Sequence, residues 1–141
     1  MKPSLIKTNA LSIWLVLTVL ASMLGYLQWG EDQHQFLFQT EAELFRKGWG
    51  NPGSVVHPFI LLPMFGQLLL LVNAFIAKPR KGLIYLGIAL IGLLYGLLII
   101  IAYLSSSMLV KAAVFPYSIM AIVLWVLTKR HARRSSVSVA E

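Results

Sequence analysis

The side chains able to do chemistry are few and fall within the first 73 residues of the chain. "GEDQHQFLFQTEAELFRKGWGNPGSVVH" carries Asp32, His34, Glu41 and Glu43 ahead of His57, and "FILLPMFGQLLLLVNAF" then sets Gln67 and Asn73 inside an apolar run. Two imidazoles with nearby carboxylates are the donor types for a divalent metal or for general acid–base work. A site on one face would therefore join His57 to His34, with Asp32, Glu41 or Glu43 beside them. Yet "EDQHQ" is not a metal-ligand spacing, and bis-histidine haem would need His57 with a loop residue, since His131 lies far along the chain. No cofactor and no metal is expected. The plain reading of His57 is an imidazole solvated at a boundary.

Gln67 and Asn73 are six residues apart, which places them about 120° from each other around a helix. They do not make one site on that helix alone. An amide in an apolar interior is costly unless bonded, so Gln67, which follows Pro63 by one turn, reads first as a polar joint to a neighbouring helix. Its chemical alternative, with Asn73, is the lining of a pore built by several copies.

No cysteine is present, which excludes disulfides, thiolate catalysis and thiolate metal sites. The chain has 141 residues, 58% hydrophobic and only 12% charged, far from the roughly one-quarter charged composition of soluble domains. Mean hydropathy is +0.78. These values predict a single integral membrane domain over 1–141, because too little chain remains for a separate soluble one. The formal charge of +7 sits at the edges of apolar runs, where membrane orientation accounts for it; nucleic acid is not an expected partner.

The elements that must position these side chains are four apolar runs, at 10–29, 55–77, 82–104 and 108–128. Each meets the ~20 residues that a helix needs to cross a hydrocarbon core of about 30 Å. The expected fold is all-α, a polytopic membrane four-helix bundle. The first run follows Lys2 and Lys7 as a signal peptide would, but exceeds a typical signal core and is expected to be retained. Lys2 and Lys7, then Lys78, Arg80 and Lys81, then Lys129, Arg130, Arg133 and Arg134 alternate with the runs so that all fall on one side. By the positive-inside rule both termini face the cytoplasm, in a membrane of bacterial inner (plasma) type. The basic segment 129–141 is expected as a cytoplasmic tail.

The loop 30–54 then lies outside. Thr40 followed by Glu43 is a capping-box pattern and predicts a short interfacial helix over Glu41 to Lys47, with Leu44, Phe45 and Trp49 as its apolar edge. Small residues form two further stripes. Ala89, Gly92 and Gly96, flanked by Tyr85 and Tyr103, share one face of the third run, and Ser22 and Gly25 lie on the first. Small residues let helix backbones approach closely in lipid, so both stripes are expected packing faces, toward another helix of the chain or toward a second subunit. Pro116 in "FPYS" predicts a kink in the last run.

None of the runs holds Asp, Glu or Arg, and Lys111 lies near an end. Ion-coupled transport commonly uses an ionisable residue within the membrane, and small multidrug exporters rely on a glutamate in the first helix; neither feature is present in these runs. The leading expectation is a non-catalytic accessory or interaction subunit, with the lipid bilayer and a membrane-protein partner or a homo-oligomer as its contacts. Two others stay open: an oligomeric channel or facilitator lined by Gln67 and Asn73, and a membrane enzyme or ligand-binding protein with an outer-face site at His57 and His34. The sequence does not decide whether the chain is an enzyme.

Overall fold

The computed structural model describes residues 3–29, 33–48 and 58–137 of the chain. In order these form α1 (Pro3–Met23), β1 (Tyr26–Trp29), β2 (Gln33–Phe36), α2 (Leu37–Gly48), α3 (Pro58–Phe75), α4 (Lys81–Leu104) and α5 (Met108–Val137). The described chain is mostly helical. Its four longer helices make a ring in which α1 and α4 each touch both α3 and α5, while β1, β2 and α2 contact α5, α3 and α1 at one end as a cap. Leu15, Leu70, Ile84, Ile91, Leu98 and Leu124 are among the side chains that fill the centre. Two helical stretches, Lys81–Leu104 and Met108–Arg130, are long and apolar enough to cross a membrane. The apolar parts of the other two, Ala10–Met23 and Phe59–Phe75, are shorter.

The run expected as one helix over 10–29 is divided. Helix α1 stops at Met23, and the turn is closed by Leu24 N–H to the Ala21 carbonyl at 3.3 Å and Gly25 N–H to the Ser22 carbonyl at 3.5 Å. Gly25 is needed there because a Cβ would stand 2.9 Å from the Tyr95 hydroxyl. The chain leaves as a strand, with β1 antiparallel to β2 and Tyr26 opposite Phe36 and Gln28 opposite His34. Leu37 N–H bonds the Gly25 carbonyl at 2.7 Å and fastens the open end of the hairpin. Hydropathy alone does not separate an apolar strand from the end of an apolar helix. This two-stranded element is an addition to the all-α expectation.

The loop helix begins earlier than Glu41. At the start of α2, Phe36 N–H donates to Gln39 Oε1 at 3.0 Å, so the side chain that reaches back to the cap is Gln39 and not Glu43. Thr40 is turned inward and donates to the Phe36 carbonyl at 3.3 Å, while Glu43 pairs with Lys47 one turn on, at 3.3 Å. At the other boundary, α5 runs through Val137 rather than ending at Thr128. No glycine or proline interrupts 128–137, and Lys, Arg and Ala are good helix formers. Helix α3 is described from Pro58, so the expected start at 55–57 lies outside the described residues.

The close seam between α3 and α4 lies at Gly66 and Gly87. A Cβ at Gly66 would meet the Gly87 carbonyl and Ile91 Cγ1, both at 2.7 Å, and one at Gly87 would meet Leu70 Cδ2 at 2.8 Å. The Gly92–Gly96 step is not used in this way inside the chain. Ala89 and Gly96 are exposed, a Cβ at Gly96 would touch nothing within 4 Å, and one at Gly92 would approach only the Tyr117 hydroxyl, at 3.8 Å. Pro63 and Pro116 both lie inside helices. After Pro116, Ser118 Oγ bonds the Val114 carbonyl at 2.8 Å within α5, and Tyr117 turns across to α4.

Candidate functional site: a buried carboxyl beneath the cap

The inward face of α2 is set by Leu37, Glu41 and Leu44, the i, i+4, i+7 spacing of one helical stripe. Their relative exposures are 0%, 5% and 9%, so a glutamate occupies the middle of an otherwise apolar seam. Folding α2 onto the ring to bury the two leucines carries the carboxyl in with them.

What it meets is a group of polar side chains from the surrounding helices. Gln67, on α3, lies beside the Glu41 carboxyl and donates from Nε2 to Ser22 Oγ of α1 at 3.1 Å. Ser22 Oγ in turn donates to the Val19 carbonyl at 2.7 Å. From α4, the Tyr95 hydroxyl donates to the Ser22 carbonyl at 3.0 Å, with the Ala21 carbonyl at 3.4 Å. Tyr117 of α5 stands behind it, ring centroids 4.2 Å apart, its hydroxyl bonded to the Ile88 carbonyl at 2.8 Å. Four helices of the ring and the cap thus converge. The cluster is recessed, since Gln67 lies nine residues beyond Pro58, about 14 Å along α3 at 1.5 Å per residue. Because α1 ends at Met23, the cap reaches down to a depth that a longer first helix would fill.

Among the described residues, Glu41 Oε1 is the one buried side-chain oxygen or nitrogen without a hydrogen-bond partner. Burial raises the Glu41 pKa from the ordinary 4.5 to about 7, with the Gln67 side chain acting in the opposite direction. An ion is disfavoured where no water solvates it. Near neutral pH this carboxyl therefore exists in both forms. The arrangement is suited to holding and releasing a proton.

The other sequence candidates go to different places. His34 is exposed and stacks on Tyr26, ring centroids 5.7 Å apart. His57 lies outside the described residues, as does Asp32. Asn73 is buried away from the cap, where Nδ2 donates to the Leu69 carbonyl at 2.8 Å and Oδ1 accepts from Arg80 N–H at 2.8 Å. It therefore staples the turn between α3 and α4. Gln67 and Asn73 do not share a site, and each hydrogen-bonds within the chain. Ser22 and Gly25, expected as packing residues, lie at the polar cluster. No group of three or more His, Asp or Glu gathers among the described residues.

Sequence reasoning did not single out Tyr95, nor Glu41 as a buried group. Glu41 had a signal: placing Leu37 and Leu44 on one stripe puts Glu41 on it too. Tyr95 had none, because its partner is a backbone carbonyl far away in sequence. The chain matches no protein-family model, no curated protein and no solved structure.

Proposed function

We propose that this chain is a small integral membrane protein of four spans, acting without catalytic chemistry as an accessory or interaction subunit whose recognition surface is the cap. Residence in lipid is supported by the apolar exterior: Phe75 is 82% exposed and Tyr103 88%, with Leu104, Met108, Phe115 and Ile122 also outward. An apolar belt of that extent is unfavourable in water. Lys129 lies over the Trp125 ring, 3.8 Å from its centroid, a pairing suited to the cytoplasmic headgroup level. On this reading the cap is outside, both termini are in the cytoplasm of a bacterial cell, and α1 and α3 complete the four spans.

The observation that carries the accessory role is the disposition of polar groups. Thr18, Ser22, Gln67, Asn73, Tyr95, Tyr117 and Thr128 are all buried and all hydrogen-bonded within the chain. Spent in this way, they favour the helices as scaffold. The cap by contrast presents a free face, with Phe38, Phe45 and Arg46 exposed and a shallow groove lined by Gln35, Phe38, Gln39, Ala42, Glu43 and Arg46. Exposed aromatic and arginine side chains are the types that anchor protein contacts.

The test is isolation of the tagged full-length chain from its native membrane in mild detergent. A stoichiometric membrane-protein partner is expected, with retention lost on Phe45→Ala combined with Arg46→Glu while the variant remains folded. Recovery of only monomers or homo-oligomers would overturn the accessory reading and turn attention to the channel alternative.

A further inference from the structure

We propose that Glu41 is a proton-binding site whose neutral form holds the cap on the four helices and whose ionised form loosens it. The geometry carries this. Glu41 lies between Leu37 and Leu44 on the seam that joins α2 to the ring, so its carboxyl cannot gain water unless that seam opens. Among the described residues its Oε1 has no hydrogen-bond donor in the closed arrangement. An ionised carboxylate left there lacks the bonds that would offset its lost hydration, whereas the neutral acid costs far less to bury.

Among the described residues, the groups around it supply no compensating cation. Helix α1 has no charged residue from Ala10 to Met23 and brings Ser22; α3 has none from Pro58 to Phe75 and brings Gln67. From α4 comes the neutral phenol of Tyr95, with Tyr117 of α5 behind it. On β2, His34 is exposed and stacked on Tyr26. On α2 itself Arg46 and Lys47 are exposed, and Lys47 pairs with Glu43. The reaction is a simple protonation: a proton from water binds the carboxylate, and its loss returns the anion. Opening the seam exposes Leu44 and frees the Gln67 amide, so one proton governs whether the cap and the ring act as one body.

The absence of cysteine allows a direct measurement. Leu44→Cys, in the full chain reconstituted in lipid nanodiscs, is labelled with a water-soluble thiol reagent across pH 5.5 to 8.5, with exposed Ala42→Cys correcting for thiolate fraction. The expected corrected rate at residue 44 rises about tenfold or more with a midpoint near neutrality, and in the Glu41→Gln background it stays slow throughout. A flat profile without Glu41→Gln, or an equal rise with it, overturns the proposal. Because a cysteine at 44 itself weakens the seam, infrared titration of the cysteine-free chain gives a second reading. A protonated carboxyl band that persists to neutral pH and is missing in Glu41→Gln supports the site, and titration at an ordinary carboxylate pH refutes it. The outcome is separate from whether the cap recognises a partner, since neither measurement requires one.

Discussion

Gln67 donates from its amide to Ser22 Oγ at 3.1 Å, tying α3 to α1, and its side chain stands beside the Glu41 carboxyl of α2. Replacing it by leucine keeps the bulk and removes the bond to Ser22 and the amide beside the carboxyl. Stability is expected to fall by about 1–3 kcal/mol, the usual range for orphaning buried polar partners. Since the Gln67 side chain lowers the Glu41 pKa, the carboxyl should titrate higher still in Gln67→Leu. Reversible unfolding in mixed micelles and infrared titration read the two effects independently. A titration that moved down would show that Gln67 does not support the anion.

The dependence of stability on pH has a definite sign. Glu41 has its pKa raised from 4.5 to about 7 on folding, so between those values the folded chain holds a proton that the unfolded chain has released. Its contribution is fully present below pH 4.5, declines as pH rises toward 7, and is absent above. The total amounts to roughly 3 kcal/mol at most, from 1.36 kcal/mol per pKa unit. Unfolding measured at intervals between pH 4.5 and 8 should show this decline in the natural chain and lose it in Glu41→Gln. A natural chain more stable at pH 8 than at pH 5 would contradict it.

A side chain at residue 25 competes for space with the Tyr95 hydroxyl. Gly25→Ala places a Cβ 2.9 Å from that oxygen, closer than such contacts allow, and should destabilise by about 1–3 kcal/mol. Tyr95→Phe removes the oxygen and with it the 3.0 Å bond to the Ser22 carbonyl. The double variant should therefore lose less than the sum of the two single losses, and a four-point thermodynamic cycle measures the difference. Strict additivity would mean that the loop at Gly25 moves aside.

Glycines on two faces should behave in opposite ways. Gly66→Ala drives a Cβ against the Gly87 carbonyl and Ile91, each at 2.7 Å, where backbone has to move; a loss of about 2 kcal/mol or more is expected. Gly96→Ala meets nothing within 4 Å and should be neutral or gain up to ~1 kcal/mol from helix propensity. Thermal unfolding of both variants side by side checks the pair. If Gly96→Ala were the more damaging, that face would have to be covered by a second copy or another protein.

Asn73→Ala deletes the staple between α3 and α4, leaving Arg80 N–H without its 2.8 Å acceptor. A loss of about 1 kcal/mol is expected, the usual net worth of an intramolecular hydrogen bond. Hydrogen exchange at Arg80 should quicken, with exchange at α2 unchanged because the cap is elsewhere. Loss of cap protection would instead reveal coupling from end to end.

The long helices were legible from continuous apolar runs, because hydropathy summed over many residues outweighs local detail. That is why 82–104 so nearly coincides with Lys81–Leu104. The same averaging hid the change at Met23. Leu24, Tyr26, Leu27 and Trp29 extend the apolar run while the backbone has already turned into a strand; only Gly25 marked the break. Likewise Thr40 and Glu43 have the right spacing for a cap, but Gln39, one residue earlier, had the geometry to reach Phe36 N–H.

Residue types along one segment therefore determined the apolar helices, the grouping of basic charge at alternate ends, and the presence of an amphipathic helix in the first long loop. They did so because hydrophobic period and charge placement are properties of neighbours in the chain. Only the tertiary structure decided that Gly66 and Gly87 make the seam, that Asn73 and Gln67 serve separate ends, and that Glu41 is driven into the interior. Those outcomes depend on which elements come to lie against one another. The burial of Leu37 and Leu44 draws a carboxyl to a place where Gln67, Ser22 and Tyr95, brought from three other helices, are its surroundings.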